Sequence, residues 1–232
     1  MTTLAVSQNP GYLETAQTLL RQEGREWNQK ELLAAAEAAQ LRYTGWPVGV
    51  VIHRRELSPR PTTDGIEARI PLNDDIWEDY WYFKNDGRYF FSRIFQEDHE
   101  ETPFTSSVGH PERALWFDIQ ILRIAETLLH SAELYHQLEI APDEPYLLSV
   151  THRGLEGREF YTSTPSRHVS RGRVSQEDVA EWQREVTQDL VKASVKDLTH
   201  EIANQLFVLF DFADVSVEVV RDLVDRLISR RL

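Results

Sequence analysis

The 232-residue chain contains no cysteine, which excludes disulfides, a thiolate nucleophile and every cysteine-ligated zinc or iron–sulfur centre. It lacks any apolar run of the ~18 residues needed to cross a bilayer. Its first residues, MTTLAVSQNPGYLE, show no basic segment followed by an apolar one. No membrane association is expected, and the expected location is the cytoplasm. Basic charge is scarce: 25 Lys and Arg face 38 Asp and Glu, a formal net charge of -13. A chain of that sign repels duplex phosphate at long range, which disfavours general nucleic-acid binding. Also missing are a G-x-S-x-G elbow, a phosphate-cradling glycine loop and a dinucleotide fingerprint. No cofactor or metal is expected, and no residue is assigned a catalytic role.

What is present is ample material for a core, with 41% hydrophobic and 10% aromatic residues. The segments GYLETAQTLLRQEG and NQKELLAAAEAAQLRY read as helices, the second with Leu32, Ala35, Ala36, Ala39 and Tyr43 on one stripe and Asn28 as its cap. Gly45 and Pro47 break this pattern. VGVVIHR, residues 48 to 54, is short and β-branched and reads as a strand, as does GIEARIPL with its alternation of Ile66, Ala68 and Ile70. DYWYFKNDGRYFFSRIF carries two aromatic runs around Asn85, Asp86 and Gly87, which predicts a hairpin. PYLLSVTHRGLEGREFYTS predicts a second hairpin, turning at Gly154 and Gly157.

The longest helical pattern covers residues 114 to 138, where Phe117, Ile121, Ile124, Leu128, Ala132 and Tyr135 form one stripe. Ser175, three residues before Asp178, opens a predicted helix through Val179, Trp182, Val186, Leu190 and Ala193. Two further helices follow, DLTHEIANQLFVLFDF and the segment from Ser216. The expected fold class is therefore α+β: an antiparallel sheet of about five to six strands against a long helix, with helical N- and C-terminal segments. Residues 1–43 form the expected N-terminal helical segment and 44–232 the α+β domain, in one structural unit.

Only two segments are net basic. Residues 44 to 63 hold Arg54, Arg55 and Arg60 against one acid, and residues 151 to 173 hold Arg153, Arg158, Arg167, Arg171 and Arg173 against two. The stretch TSTPSRHVSRGRVS, 162 to 175, has no acidic residue at all. Its arginines form either a face for phosphate or an acidic protein surface, or a solvated connector. Trp46, between Gly45 and Pro47, is either a structural plug or an exposed anchor of the kind interfaces favour. The other tryptophans considered, Trp77, Trp81, Trp116 and Trp182, read as core.

The histidines are scattered: His130 and His136 fall on different helix faces, and His99 in QEDHEE reads as part of a solvated acidic loop. His200-Glu201 lacks the second histidine of a zinc-binding HExxH helix. Asp64 with Glu67 and Arg69 loosely echoes a nuclease acid-plus-E-x-K triplet without its lysine, and strand-surface charges are the simpler reading.

The ordered landmarks TGWP (44 to 47), RPTTDGIEARI (60 to 70), DYWYFKNDGRYFF (79 to 91), FDIQILRIAETLLH (117 to 130), GLEGREF (154 to 160) and LFVLFDF (206 to 212) together resemble one bacterial region. It is the region that follows the Schlafen/AlbA-type DNA-binding domain in proteins described as helix-turn-helix or ATP-binding. The AlbA-type domain itself has no counterpart among the 43 residues before TGWP. The resemblance brings no catalytic residue and implies a regulatory or defence-related setting in which an accessory module acts in trans.

The expected function is a non-enzymatic interaction or sensing module with a protein partner, using Trp46, Arg54, Arg55, Arg153, Arg158, Arg167, Arg171 and Arg173 as contact candidates. Two alternatives are a nucleic-acid-associated regulator using the basic loop and a metal-dependent nuclease or hydrolase around Asp64 and Glu67.

Overall fold

A computed structural model describes residues 10–21, 24–71, 77–98, 113–163, 169–212 and 214–229. Nine strands and four α-helices occur among them, in the order β1 (Tyr12–Leu19), α1 (Gln29–Ala38), β2 (Arg60–Thr62), β3 (Gly65–Pro71), β4 (Trp77–Lys84), β5 (Tyr89–Ile94), β6 (Ala114–Trp116), α2 (Phe117–Gln137), β7 (Tyr146–Arg153), β8 (Glu159–Tyr161), β9 (Val179–Val186), α3 (Gln188–Phe207) and α4 (Val217–Ile228). The class is α+β. Seven strands form one antiparallel sheet in the order β2-β3-β4-β5-β1-β7-β9, and β6 and β8 form a separate parallel pair.

The predicted helix over residues 11 to 24 is instead β1, which lies inside the sheet between β5 and β7. Leu13, Thr15, Gln17 and Leu19 point inward while their neighbours stay half-buried, a period of two disguised by polar residues on the buried side. Helix-forming composition is a weak prior, and two strand edges waiting for hydrogen-bond partners override it. Residues 1–43 thus contribute a strand as well as α1, and they share the sheet with the rest of the chain.

α1 follows the sequence pattern. The Asn28 side chain accepts from Lys30 N and Glu31 N at 3.0 and 3.1 Å, and Glu31 accepts the Asn28 N–H at 2.8 Å, a capping box that satisfies otherwise orphaned donors. The predicted strand at 48 to 54 is not one. Gly49 takes φ +62°, which an extended run does not accommodate. The β-branched residues serve instead as a buried cover, with Val50 O accepting from the Trp81 indole at 2.9 Å.

The β4–β5 hairpin forms as predicted, turning at Gly87 with φ +83°. The second predicted hairpin does not form. Both edges of β7 are occupied, by β1 and β9, so β8 turns away through Gly154 and Gly157 and pairs in parallel with β6. The predicted helix from Ser175 begins as β9, where Ala180, Trp182 and Val186 are buried between exposed Glu181, Gln183 and Glu185. Its exposed charges blunt a sheet edge that would otherwise invite another strand. The helix starts later, at Gln188, with Thr187 Oγ1 accepting from Leu190 N at 3.1 Å.

α2 crosses the sheet as its pattern predicts, and it is buried on nearly every side because α1, α3 and α4 flank it. Trp81, Trp116 and Trp182 belong to the core, as expected. None of the described helices is long and apolar enough to cross a membrane.

Candidate functional site

Three buried ion pairs organise the end of the sheet where β5 stops and α2 begins. On β5 the inward positions run Tyr89, Phe91, Arg93, so an arginine occupies a core position and needs a partner there. Asp79 on β4 supplies it: Oδ1 and Oδ2 accept from Arg93 Nε and Nη2, both at 2.7 Å, and Oδ2 also accepts the Trp46 indole at 2.8 Å. Arg93 Nη2 further donates to Pro47 O at 2.6 Å. The TGWP turn is thereby tied to the sheet.

A second pair sits on α2. Arg123 Nη1 donates to Thr44 Oγ1 at 2.5 Å, Glu126 Oε2 at 3.1 Å and Trp46 O at 3.3 Å, while Glu126 accepts both the N–H and the hydroxyl of Thr44. Burial and the neighbouring Arg93 charge hold the Arg123 guanidinium below its ordinary pKa, with Glu126 and Asp79 offsetting part of that effect. The third pair, Asp98–Arg158, fastens the start of β1 to the turn after β7.

Beside these pairs lies a cleft of about 250 Å³, open on one side and walled by residues that include Leu13, Ile94, Phe95 and Ile119. Trp46, Thr44, Arg93, Arg123, Gln96 and Gln120 complete its lining. Gln120 is buried and donates from Nε2 to Glu97 Oε1 at 2.9 Å, while its own Oε1 has no partner. Glu97 Oε1 also accepts from Trp116 N at 2.7 Å, and burial pushes the Glu97 carboxyl up to about 7.

The opposite face of the sheet is different in kind. The helices pack against Leu13, Trp81, Phe83, Phe91, Leu148 and Val150, whereas Tyr12, Tyr80, Tyr82 and Phe90 point the other way, half-buried and outside the core. Tyr82 stacks on its cross-strand neighbour Phe90 at 5.4 Å, and Tyr80 lies 6.2 Å from each. Arg69 lies 5.6 Å over the Tyr80 ring and Lys84 5.8 Å over Tyr82. A shallow depression of about 370 Å³ is lined here by Tyr12, Glu14, Arg69, Tyr80, Phe90 and Ser92.

Several of the sequence-predicted contact residues are engaged within the fold. Arg158 is fully buried, a correction to its place on a basic face: its charge is spent on Asp98. Arg153 pairs with Glu14 at 2.6 Å, and Arg173 donates to Asp211 O and lies 5.4 Å over the Phe212 ring. Arg171 is exposed, and Arg167 lies outside the described residues. Arg54 and Arg55 are exposed in the turn before β2, and β2 and β7 are five strand spacings apart, about 24 Å. Trp46 is half-buried and hydrogen-bonded, with one side on the cleft.

Asp64 is held by Lys84 at 2.7 Å, and Glu67 by Arg69 at 3.1 Å. Among the described residues no group of three or more His, Asp or Glu side chains could hold a metal ion. His99 lies outside the described residues.

No protein-family model, curated protein or solved structure matches this chain.

Sequence reasoning missed Arg93, Arg123, Gln120 and the tyrosine face. One signal was available for the arginines: Arg93 continues the inward alternation of an aromatic strand, and Arg123 follows Gln120 by three residues in an apolar helix.

Proposed function

We propose that the protein is a non-enzymatic interaction module that binds a protein partner on the open face of its sheet. The observation that carries this reading is the half-buried cluster of Tyr12, Tyr80, Tyr82 and Phe90 outside the core, edged by Arg69 and Glu67. Tyrosine and arginine are the residues that interfaces enrich, because they supply large contact area with a polar end and few rotors to freeze. The net charge of -13 favours a partner over a polyanion. A regulatory or defence setting rests on the sequence resemblance alone, a cytoplasmic location on the reading of the sequence for apolar and leader segments, and both belong to the same proposal.

The test is affinity purification of the tagged chain from its native host at low salt, beside the Tyr80→Ser/Phe90→Ser variant, with mass spectrometry and absorbance at 260 nm on both eluates. A stoichiometric second protein that the variant loses, while its circular dichroism stays native, is expected. Hot-spot aromatics cost about 2 kcal/mol or more on truncation, so the variant's affinity should fall roughly 30-fold or beyond. A partner retained by the variant, or single-chain mass alone, overturns the proposal. A second reading, single-stranded nucleic acid stacked on the same rings, is favoured by Arg69 and Lys84 over Tyr80 and Tyr82. It requires absorbance at 260 nm that disappears as salt rises.

A further inference from the structure

On the open face the side chains stand in rows set by the strand register. One row runs Arg60, Glu67, Tyr82, Phe90, and the next Arg69, Tyr80, Ser92, Glu14. Residues directly opposite on neighbouring strands share a face, so Arg60 carries the tyrosine row to the edge of the sheet. Most charge on these rows is already matched. Glu67 accepts from Arg69 and from the Tyr80 hydroxyl, Lys84 pairs with Asp64 at 2.7 Å, and Arg153 with Glu14 at 2.6 Å. Arg54, Arg55 and Arg60 differ: all three are exposed, and none forms an ion pair among the described residues. In a chain with 38 acids, surplus positive charge is thus left beside the tyrosines.

These arginines belong to one local structure. Leu57 N and Ser58 N both donate to Arg54 O, at 2.8 and 2.9 Å, which closes the turn leading into β2. Between this turn and β3 lies a groove of about 340 Å³ whose lining includes Leu57, Ser58, Arg60 and Arg69. Arg69 also lines the tyrosine depression, so the two hollows adjoin there.

The arrangement defines what fits. β4, β5 and β1 have strands on both sides, so a ligand on this face is held by side chains and not by strand addition. Tyr82 and Arg60 stand two strand spacings apart, about 10 Å, which an extended chain covers in about three residues. A net charge of -13 repels a long polyanion, whereas two or three carboxylates meet the arginines within a Debye length of about 8 Å. The guanidinium fork matches a carboxylate.

We propose that the partner is recognised through a short acidic peptide segment laid across these strands. An aromatic or aliphatic anchor sits on Tyr80, Tyr82 and Phe90, and two or three Asp or Glu residues, beginning about three residues away, meet Arg60, Arg55 and Arg54. The proposal rests on the open face being the interface and adds the chemistry of what binds there.

The test selects a phage-displayed random dodecapeptide library on the immobilised native chain, then titrates the enriched peptides, fluorescein-labelled, by anisotropy. Enriched sequences should share the anchor and the spaced acids, and their binding should weaken as salt rises. Affinity should fall roughly tenfold in Arg54→Gln/Arg55→Gln/Arg60→Gln, which removes three exposed charge contacts. Peptides with their acids replaced by amides, titrated on the native chain, should lose a similar factor, so the comparison does not depend on the variant folding. Peptides that lose affinity for Tyr80→Ser/Phe90→Ser but not for the arginine variant leave the open-face interface intact and overturn the acidic segment. No enrichment, or peptides indifferent to both variants, also overturns it, while the interface itself stands or falls on the affinity purification. Labelled oligo(dT) binding as tightly as the best peptide, or a dimer in sedimentation that the arginine variant dissolves, overturns it in favour of nucleic acid or a second copy.

Discussion

Arg158 and Asp98 meet as a fork, Nη1 to Oδ1 at 2.9 Å and Nη2 to Oδ2 at 2.5 Å, with neither side chain more than 2% exposed. Around them Arg158 also donates to Ala114 O and Gly154 O, Asp98 Oδ2 accepts the Gly11 N–H, and the guanidinium lies 5.0 Å over the Phe95 ring. Four chain segments are thus joined by one pair. Breaking a buried pair costs more than the pair contributes, because it strands a charge away from water. Asp98→Asn should lower stability by roughly 3–5 kcal/mol, and Arg158→Lys should also be strongly destabilising because a single ammonium cannot reproduce the fork. Urea midpoints measure both; a loss within 1 kcal/mol, about the value of an exposed pair, would show that the pair is not the fastening described.

Gly154 and Gly172 offer a controlled comparison. Both have positive φ, +74° and +80°, but a Cβ on Gly154 would come 2.8 Å from Gly11 Cα and 2.9 Å from Pro10 O, while one on Gly172 would meet open space. Gly172→Ala should cost only the left-handed penalty, about 1–2 kcal/mol. Gly154→Ala should cost clearly more, since backbone must move. Equal thermal shifts in the two variants would mean that the approach of Gly11 to Gly154 is not tight in solution.

Acidification should act through three buried groups in two directions. Burial holds His130 and His152 down to about 3 from 6.5, so from pH 6.5 downward the unfolded chain takes up protons that the folded one refuses, and stability falls. Glu97 is raised to about 7 from 4.5, so the folded chain binds its proton first and stability rises as pH drops from about 7 to 4.5. The Glu97→Gln variant loses the opposing contribution. Its denaturation midpoint should fall more steeply than that of the native chain between pH 7 and 4.5. Parallel curves would contradict the assignment of Glu97.

Much of the fold could be read from the residues. The Asn28 capping box, the aromatic hairpin at Asn85-Asp86-Gly87 and the stripe of α2 are local signals, completed by atoms a few residues away, and each stands where the pattern put it. The candidate cleft could not be read in this way. Gln120 and Arg123 are neighbours on one helix, but Leu13, Trp46 and Arg93 reach them only after the chain has folded.

The chain's composition determined by itself that there are no disulfides or thiolates and that a substantial core forms, and local patterning determined α1, α2 and the first hairpin. Tertiary structure decided the rest through the availability of strand edges. Trp182 and Val186, four residues apart, share a face in a helix and in a strand alike, so only the open edge of β7 made β9 a strand. β1 became a strand because β5 and β7 each needed a partner, and β8 left the sheet because β7 had none to spare. Backbone donors and acceptors must be paired wherever they are buried, and which pairs are left to make is known only once the other strands are in place.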